Sequence, residues 1–212
     1  ILLGLVGSEM CIRDSQRKLL AKRHNTNLFE TRGVPGTHNL KLLSQTIRNL
    51  KSNKFPLFLP VFDKVTDNKK KYQRKVNKAD LIILEGWCVG SKPIDPNYLK
   101  KNINDLEKTE DSNLLWRTAY NKALVEYQKV FKKFSYFVFI KIPNWKFVID
   151  WKYKQELGLR SSNSNNHLKK KLYRFIQFYE KLSKWMFLTS PSDCNVLITL
   201  DKKQTAKKIT YK

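Results

Sequence analysis

The sharpest apolar pattern in the chain is Leu81–Leu84, an unbroken run that stops abruptly at Glu85 and Gly86. Such a run predicts a parallel strand buried on both faces. It also places a carboxylate at the carboxyl end of that strand, where open α/β sheets hold their ligands. Upstream, Phe55–Phe62 predicts another strand, its prolines confining it to the ends or an edge of a sheet, with Asp63 and Lys64 just past it. Tyr136–Ile142, rich in aromatic and β-branched residues and stopped by Pro143, predicts a third, and Asn195–Leu200 a last one. Between these runs the apolar period lengthens to that of a helix. Leu40, Leu43, Ile47 and Leu50 mark one helix; Trp116, Leu124, Tyr127 and Phe131 mark another over Leu114–Phe134. Trp145–Leu159 and Leu168–Leu188 continue the pattern, and Gln16–Asn27 is a short basic helix. Val65–Lys78 is polar and Lys-rich and predicts a surface loop, Ser161–Asn166 a polar turn, and the residues after Leu200 a basic tail. Strands alternating with helices predict an α/β fold with a mainly parallel sheet, without internal repeat or second domain.

Composition narrows this little. A chain of 212 residues with 41% hydrophobic and 12% aromatic content has enough apolar material for one folded α/β domain. Cys11, Cys88 and Cys194 are too few and too scattered for a disulfide framework and lack metal-ligand spacing, which points to a reducing compartment. The net charge of +24 invites a nucleic-acid partner. The lysines are dispersed among abundant asparagines, however, as an AT-biased coding sequence would leave them on solvated faces. No aromatic–basic interleaving of the RNA-reading kind accompanies them, so a nucleic-acid partner is not expected. No apolar run reaches the roughly 18–20 residues of a membrane span, so no membrane partner is expected either.

Ile1–Ser15 (ILLGLVGSEMCIRDS) lacks an initiating Met and the basic lead of a secretory signal. It looks like translated adaptor or cloning sequence and is expected to stand outside a single domain spanning 16–212. Its Gly4–Ser8 stretch imitates the start of a phosphate loop. Glu9-Met10 follows where Gly-Lys-Ser/Thr would be needed, so the imitation fails, and no other such loop occurs in the chain.

The candidate chemistry begins at Thr31–His38, TRGVPGTH. Gly33 and Gly36 around Pro35 make a tight loop whose backbone can approach a ligand closely. Thr37 or Asn39 can cap the helix that follows, and a helix start beside Arg32 and His38 favours a phosphate or carboxylate.

Four segments in one order, TRGVPGTHN, PVFDK, LIILEGWCVG and the helix containing DWKYKQE, resemble the D-glycerate 3-kinase type of P-loop kinase, and more distantly the uridine, pantothenate and phosphoribulo-kinases. Asn102–Glu107, Trp116-Arg117 with Asn121, and Phe175–Met186 resemble further segments of that family. The resemblance implies a P-loop fold that transfers the γ-phosphoryl group of ATP, with Mg²⁺, to a small hydroxy acid. Catalysis then rests on positioning and on cations facing developing charge. It implies that Glu85 acts on Mg²⁺ directly or through water, and that Arg32, Gly33, Gly36, Thr37 and His38 line the acceptor side. Asp63 and Lys64 would bound the same cleft, and Arg117 and Lys152 would belong to a lid over the phosphates.

The chain departs from the family pattern at several positions. The first strand, its phosphate loop and the following helix are expected to be missing upstream of Gln16, so the segment alone is expected to be inactive. Val61 stands where relatives tend to carry Arg, Asn68 replaces an acid while Asp67 is kept, Asn39 replaces an Asp, and Lys152 replaces an Arg and its bidentate fork. These changes bear on the acceptor more than on the reaction class. D-glycerate is the favoured acceptor; pantothenate, a nucleoside or another hydroxy acid is the alternative, as is an inactive or nucleic-acid-binding relative on the same fold. A cytoplasmic location is expected, with an organellar one left open because any targeting segment would precede Gln16.

Overall fold

The structure, a computed structural model, describes residues 3–7, 14–63, 68–160 and 166–212. The chain divides into two compact units, Ile1–Val89 with Asn113–Lys133 and Gly90–Ser112 with Phe134–Lys212. Each unit buries a set of apolar side chains of its own.

In the first unit, α1 (Asp14–Arg23) leads through a 3-10 turn, Asn27–Glu30, to α2 (Leu40–Lys51). Leu43, Ile47 and Leu50 of α2 are buried as their spacing predicts, and α2 packs against α5 (Leu115–Phe131). The buried face of α5 carries Trp116, Tyr120, Leu124, Tyr127 and Val130. Asn39 caps α2 by accepting the Leu42 N–H at 3.0 Å. Strands β2 (Leu57–Asp63) and β3 (Asn68–Val76) form an antiparallel hairpin. A surface loop was expected where β3 lies. Its lysines hid it, because the strand is held by the backbone ladder to β2 and buries little beyond Val76.

β4 (Leu81–Glu85) is the strand expected to be buried on both faces, and it is not. Its side chains alternate between exposed and half-buried, with Leu81 48% and Ile83 40% accessible. Among the described residues its sheet has only two strands, and no layer closes over its outer face. Its partner is β1 (Leu3–Gly7), paired in parallel from Leu3 opposite Leu81 to Gly7 opposite Glu85. The lead segment set aside in the sequence therefore contributes a strand. An extended apolar pentapeptide meets the backbone N–H and C=O groups that β4 presents, which composition alone does not reveal.

In the second unit, α3 (Pro96–Lys100) and α4 (Asp105–Thr109) are short helices, each started by a side-chain cap from Asp95 or Asn104. α6 (Phe147–Arg160) packs on α7 (Asn166–Asp193), which buries Leu172, Ile176, Tyr179, Leu182 and Met186. β5 (Val138–Lys141) pairs in parallel with β6 (Val196–Leu200), and β6 pairs in antiparallel with β7 (Ala206–Tyr211). The expected basic tail is thus a strand. A charged terminal segment can still complete a ladder when alternate residues such as Ile209 and Tyr211 meet the apolar row of β6. The architecture is α/β. In place of one mainly parallel sheet, the described strands form three small sheets with two parallel and two antiparallel pairings. The polar turn expected at Ser161–Asn166 lies outside the described residues as far as residue 165.

A buried ion pair holds α4 to α7. Lys181, 2% exposed, gives its ammonium to the Tyr98 carbonyl at 3.2 Å, the Lys101 carbonyl at 2.5 Å and Glu107 Oε2 at 3.3 Å. The Tyr98 ring lies 5.1 Å from the same Nζ. Glu107 Oε2 also accepts the Ile103 N–H at 3.0 Å, and Gln177 of α7 accepts the Leu106 N–H at 2.8 Å.

Candidate active site

The loop Arg32–Asn39 is built from its own backbone outward. Thr37 donates both its N–H (3.0 Å) and its hydroxyl (2.7 Å) to the Val34 carbonyl, and both residues are buried. Gly33 and Gly36 have φ of 79° and 100°. Beside Gly36 there is room for a Cβ, the nearest atom being Ala123 Cβ at 3.6 Å, so the positive φ is what calls for glycine. Gln16 of α1 donates Nε2–H to the carbonyls of Gly36 (2.8 Å) and His38 (3.3 Å). α1 thereby fixes one side of the loop.

α5 fixes the other side. The Tyr127 hydroxyl accepts the Gly36 N–H at 2.9 Å and lies 2.6 Å from His38 Nδ1, the two rings meeting edge-on. His38 is 3% exposed, and burial pushes its imidazole down to about 4, so it is neutral at pH 7. Its other nitrogen, Nε2, has no hydrogen-bond partner among the described residues. A half-open cavity of about 840 Å³ adjoins this group, walled by Gln16 and Leu20 of α1, Pro35 and His38 of the loop, and Ala123 and Tyr127 of α5. Arg23, Lys41 and Lys122 line it beside one acid, Glu126, on walls that are otherwise mostly apolar.

The other residues singled out from the sequence fall in different surroundings. Arg32 is half-buried, its guanidinium 5.8 Å from the centre of the Phe62 ring. Asp63 ends β2, paired in register with Asn68, while Lys64 and Asp67 lie outside the described residues. Glu85 ends β4 with an exposed carboxylate. Among the described residues no three His, Cys, Asp or Glu side chains gather as a metal site. A single accessible carboxylate nevertheless suits Mg²⁺, which takes one or two carboxylates beside phosphates and water. Arg117 was expected on a lid. It is fully buried on the core face of α5, a position from which a side chain cannot close over a ligand. Lys152, in the second unit, pairs with Glu156 at 3.0 Å and hydrogen-bonds Gln155 at 3.0 Å.

The structure thus gathers Gly36, Thr37 and His38 with two residues the sequence reading missed, Gln16 and Tyr127. Tyr127 was read as core from its place in the amphipathic pattern. The available signal was its hydroxyl, since a tyrosine on a buried helical face needs a partner for that group.

No family model matches the chain. The probable ATP-dependent kinase TDA10 of Saccharomyces cerevisiae is 27% identical over 183 residues, 78% of this chain and 59% of that protein. The chloroplastic D-glycerate 3-kinase of Arabidopsis thaliana is 26% identical over 197 residues, 84% of this chain and 40% of the relative. The solved D-glycerate 3-kinase from Cryptococcus neoformans var. grubii superposes with a TM-score of 0.78 at 20% identity, over 100% of this chain and 80% of that one. The chain resembles the D-glycerate 3-kinase type of P-loop kinase. The likeness to the solved D-glycerate 3-kinase establishes a P-loop kinase fold, and the chain spans between two fifths and three fifths of the length of the two curated relatives. No helix among the described residues is long and apolar enough to cross a membrane.

Proposed function

We propose that this chain is part of an ATP-dependent kinase that phosphorylates the hydroxyl of a small hydroxy acid, with D-glycerate as the favoured acceptor. The observation that carries the proposal is the cavity walled by the TRGVPGTH loop, whose sequence first suggested the family, with Arg23, Lys41 and Lys122 around it. The names of the relatives support the reaction class. Arg32, Gly33, Gly36 and His38 hold the acceptor, while Thr37 holds the loop. Glu85 contributes to Mg²⁺, which supplies charge neutralisation at the phosphates when bound. Asp63 bounds the cleft.

One observation favours a second reading within the same class. A cavity of about 840 Å³ is several times larger than a three-carbon acid and lies in the range of larger ligands. A bulkier hydroxy acid, pantothenate included, would fill it better.

The test is ADP release by the complete natural protein across D-glycerate, pantothenate, nucleosides and other hydroxy acids. D-glycerate-dependent release that falls about a hundredfold or more in Glu85→Gln, with the fold retained, is the expected result. ADP release that does not depend on any acceptor would leave an ATPase and overturn the proposal.

A further inference from the structure

The cavity between α1, the Arg32–Asn39 loop and α5 is walled by two kinds of group. α1 brings Gln16, Leu20, Arg23 and His24 to it, and α5 brings Ala119, Lys122, Ala123 and Glu126; spacings of three and four keep each set on one helix face. Its inner wall is apolar: Phe29 and Pro35 are buried, and Leu20, Leu40, Ala119 and Ala123 are half-buried. The two alanines stand one turn apart on α5, and their short side chains leave the space before them open. Its rim is charged. Arg23 of α1, Lys41 of α2 and Lys122 of α5 are exposed, and among the described residues none of the three is held in an ion pair. Glu126, the one acid, accepts from Lys129 Nζ with both carboxylate oxygens at 2.8 Å. Three cations from three elements thus border one apolar cavity. A three-carbon acid, polar at every carbon, answers the cations and leaves the apolar wall wet; a purely apolar molecule does the reverse.

We propose that this cavity binds a hydroxy acid with an apolar body, its carboxylate at the rim among Arg23, Lys41 and Lys122 and its body against Leu20, Pro35, Ala119 and Ala123. The proposal names the ligand class of the same site and rests on the acceptor-site reading above for the hydroxyl as the reacting group. Taking apolar carbon out of water supplies most of the affinity. Solvent-exposed cations add little to it, and they set the orientation, carboxylate outward and body inward. Ala119 and Ala123 are then specificity-determining residues, because their size fixes how deep the body can reach.

The test is calorimetric titration and backbone amide shifts of the full 212-residue chain at pH 7, without ATP, with α-hydroxyoctanoate, D-glycerate and octanol as probes. The hydroxyoctanoate, which has both the carboxylate and the body, is expected to bind at least about tenfold tighter than either of the others and to shift the amides of Ala119 and Ala123. Ala119→Leu fills part of the inner wall and weakens that binding about tenfold. Lys122→Glu, an exposed change, weakens it at least about threefold and leaves octanol unaffected, which keeps the test decisive should the leucine variant fail to fold. Binding of D-glycerate or of octanol as tight as that of the hydroxyoctanoate, or shifts confined to other parts of the chain, would overturn the assignment. No step here requires phosphoryl transfer. Expected binding together with acceptor-independent ADP release by the complete protein overturns only the kinase reading. Turnover of D-glycerate without binding of the hydroxyoctanoate overturns only the present inference.

Discussion

Two buried polar groups, one in each unit, meet opposite surroundings. In the second, the ammonium of Lys181 on α7 is sealed against the Tyr98 and Lys101 carbonyls and the Glu107 carboxylate. In the first, His38 is equally buried, yet it carries no charge at pH 7 and leaves Nε2 without a partner. A network of that kind ties helices together. A buried polar atom without a hydrogen bond is a cost to the fold. Neither burial nor one unmade hydrogen bond separates architecture from a site, since the Trp185 indole N–H in the second unit is also buried without a hydrogen bond among the described residues.

That contrast can be broken most forcefully at the closed network. Lys181→Ala leaves the Glu107 carboxylate in the interior without its cation, and urea denaturation should show a loss of about 3–5 kcal/mol. A loss under 1 kcal/mol would mean that the pair is not a structural tie. Next comes pH. His38 titrates at about 4 in the fold against 6.5 when unfolded, so the unfolded chain takes up a proton first. The contribution is complete above pH 6.5, declines as pH falls, and is gone below pH 4, a loss of about 3 kcal/mol. Comparing wild type with His38→Gln across pH 4–7 isolates it; parallel curves would show that His38 is not the group responsible.

A smaller effect is expected at Gly90, where φ is +82° and an added Cβ would overlap the Phe137 ring. Gly90→Ala should cost about 2 kcal/mol in the same denaturation experiment. An unchanged midpoint would mean that Phe137 gives way freely. The smallest effect belongs to the Lys152–Glu156 pair, one turn apart on α6. Lys152→Ala should change stability by no more than about 0.5 kcal/mol. A much larger loss would make Lys152 a structural residue of α6.

Much of this was legible before any coordinates. The helices carried by Leu43, Ile47 and Leu50, and by Trp116, Leu124 and Tyr127, follow from apolar spacing because the buried face of a helix repeats in sequence. The TRGVPGTH loop was legible too, since its glycines and cap residue have local causes. β3 and β7 were not, because a ladder on an already formed strand satisfies backbone groups whatever the side chains are. The exposure of β4 depends on how many layers cover it, which a run of four apolar residues does not encode. Arg117 shows the same limit, since the resemblance suggested a lid role for a side chain the fold encloses.

The Lys-rich strand β3 gives the +24 charge a use that needs no polyanionic partner. Strand pairing on its outer side would bring a second copy's Lys71, Arg74 and Lys75 against its own, all of them exposed. Like charges placed directly opposite oppose such pairing, so β3 keeps its unpaired side from recruiting further chains at low salt. Raising the ionic strength shortens the reach of that repulsion. The hairpin charge is therefore expected to oppose edge-to-edge association in dilute buffer and to lose that effect as added salt screens the lysines, which light scattering over a salt series would check.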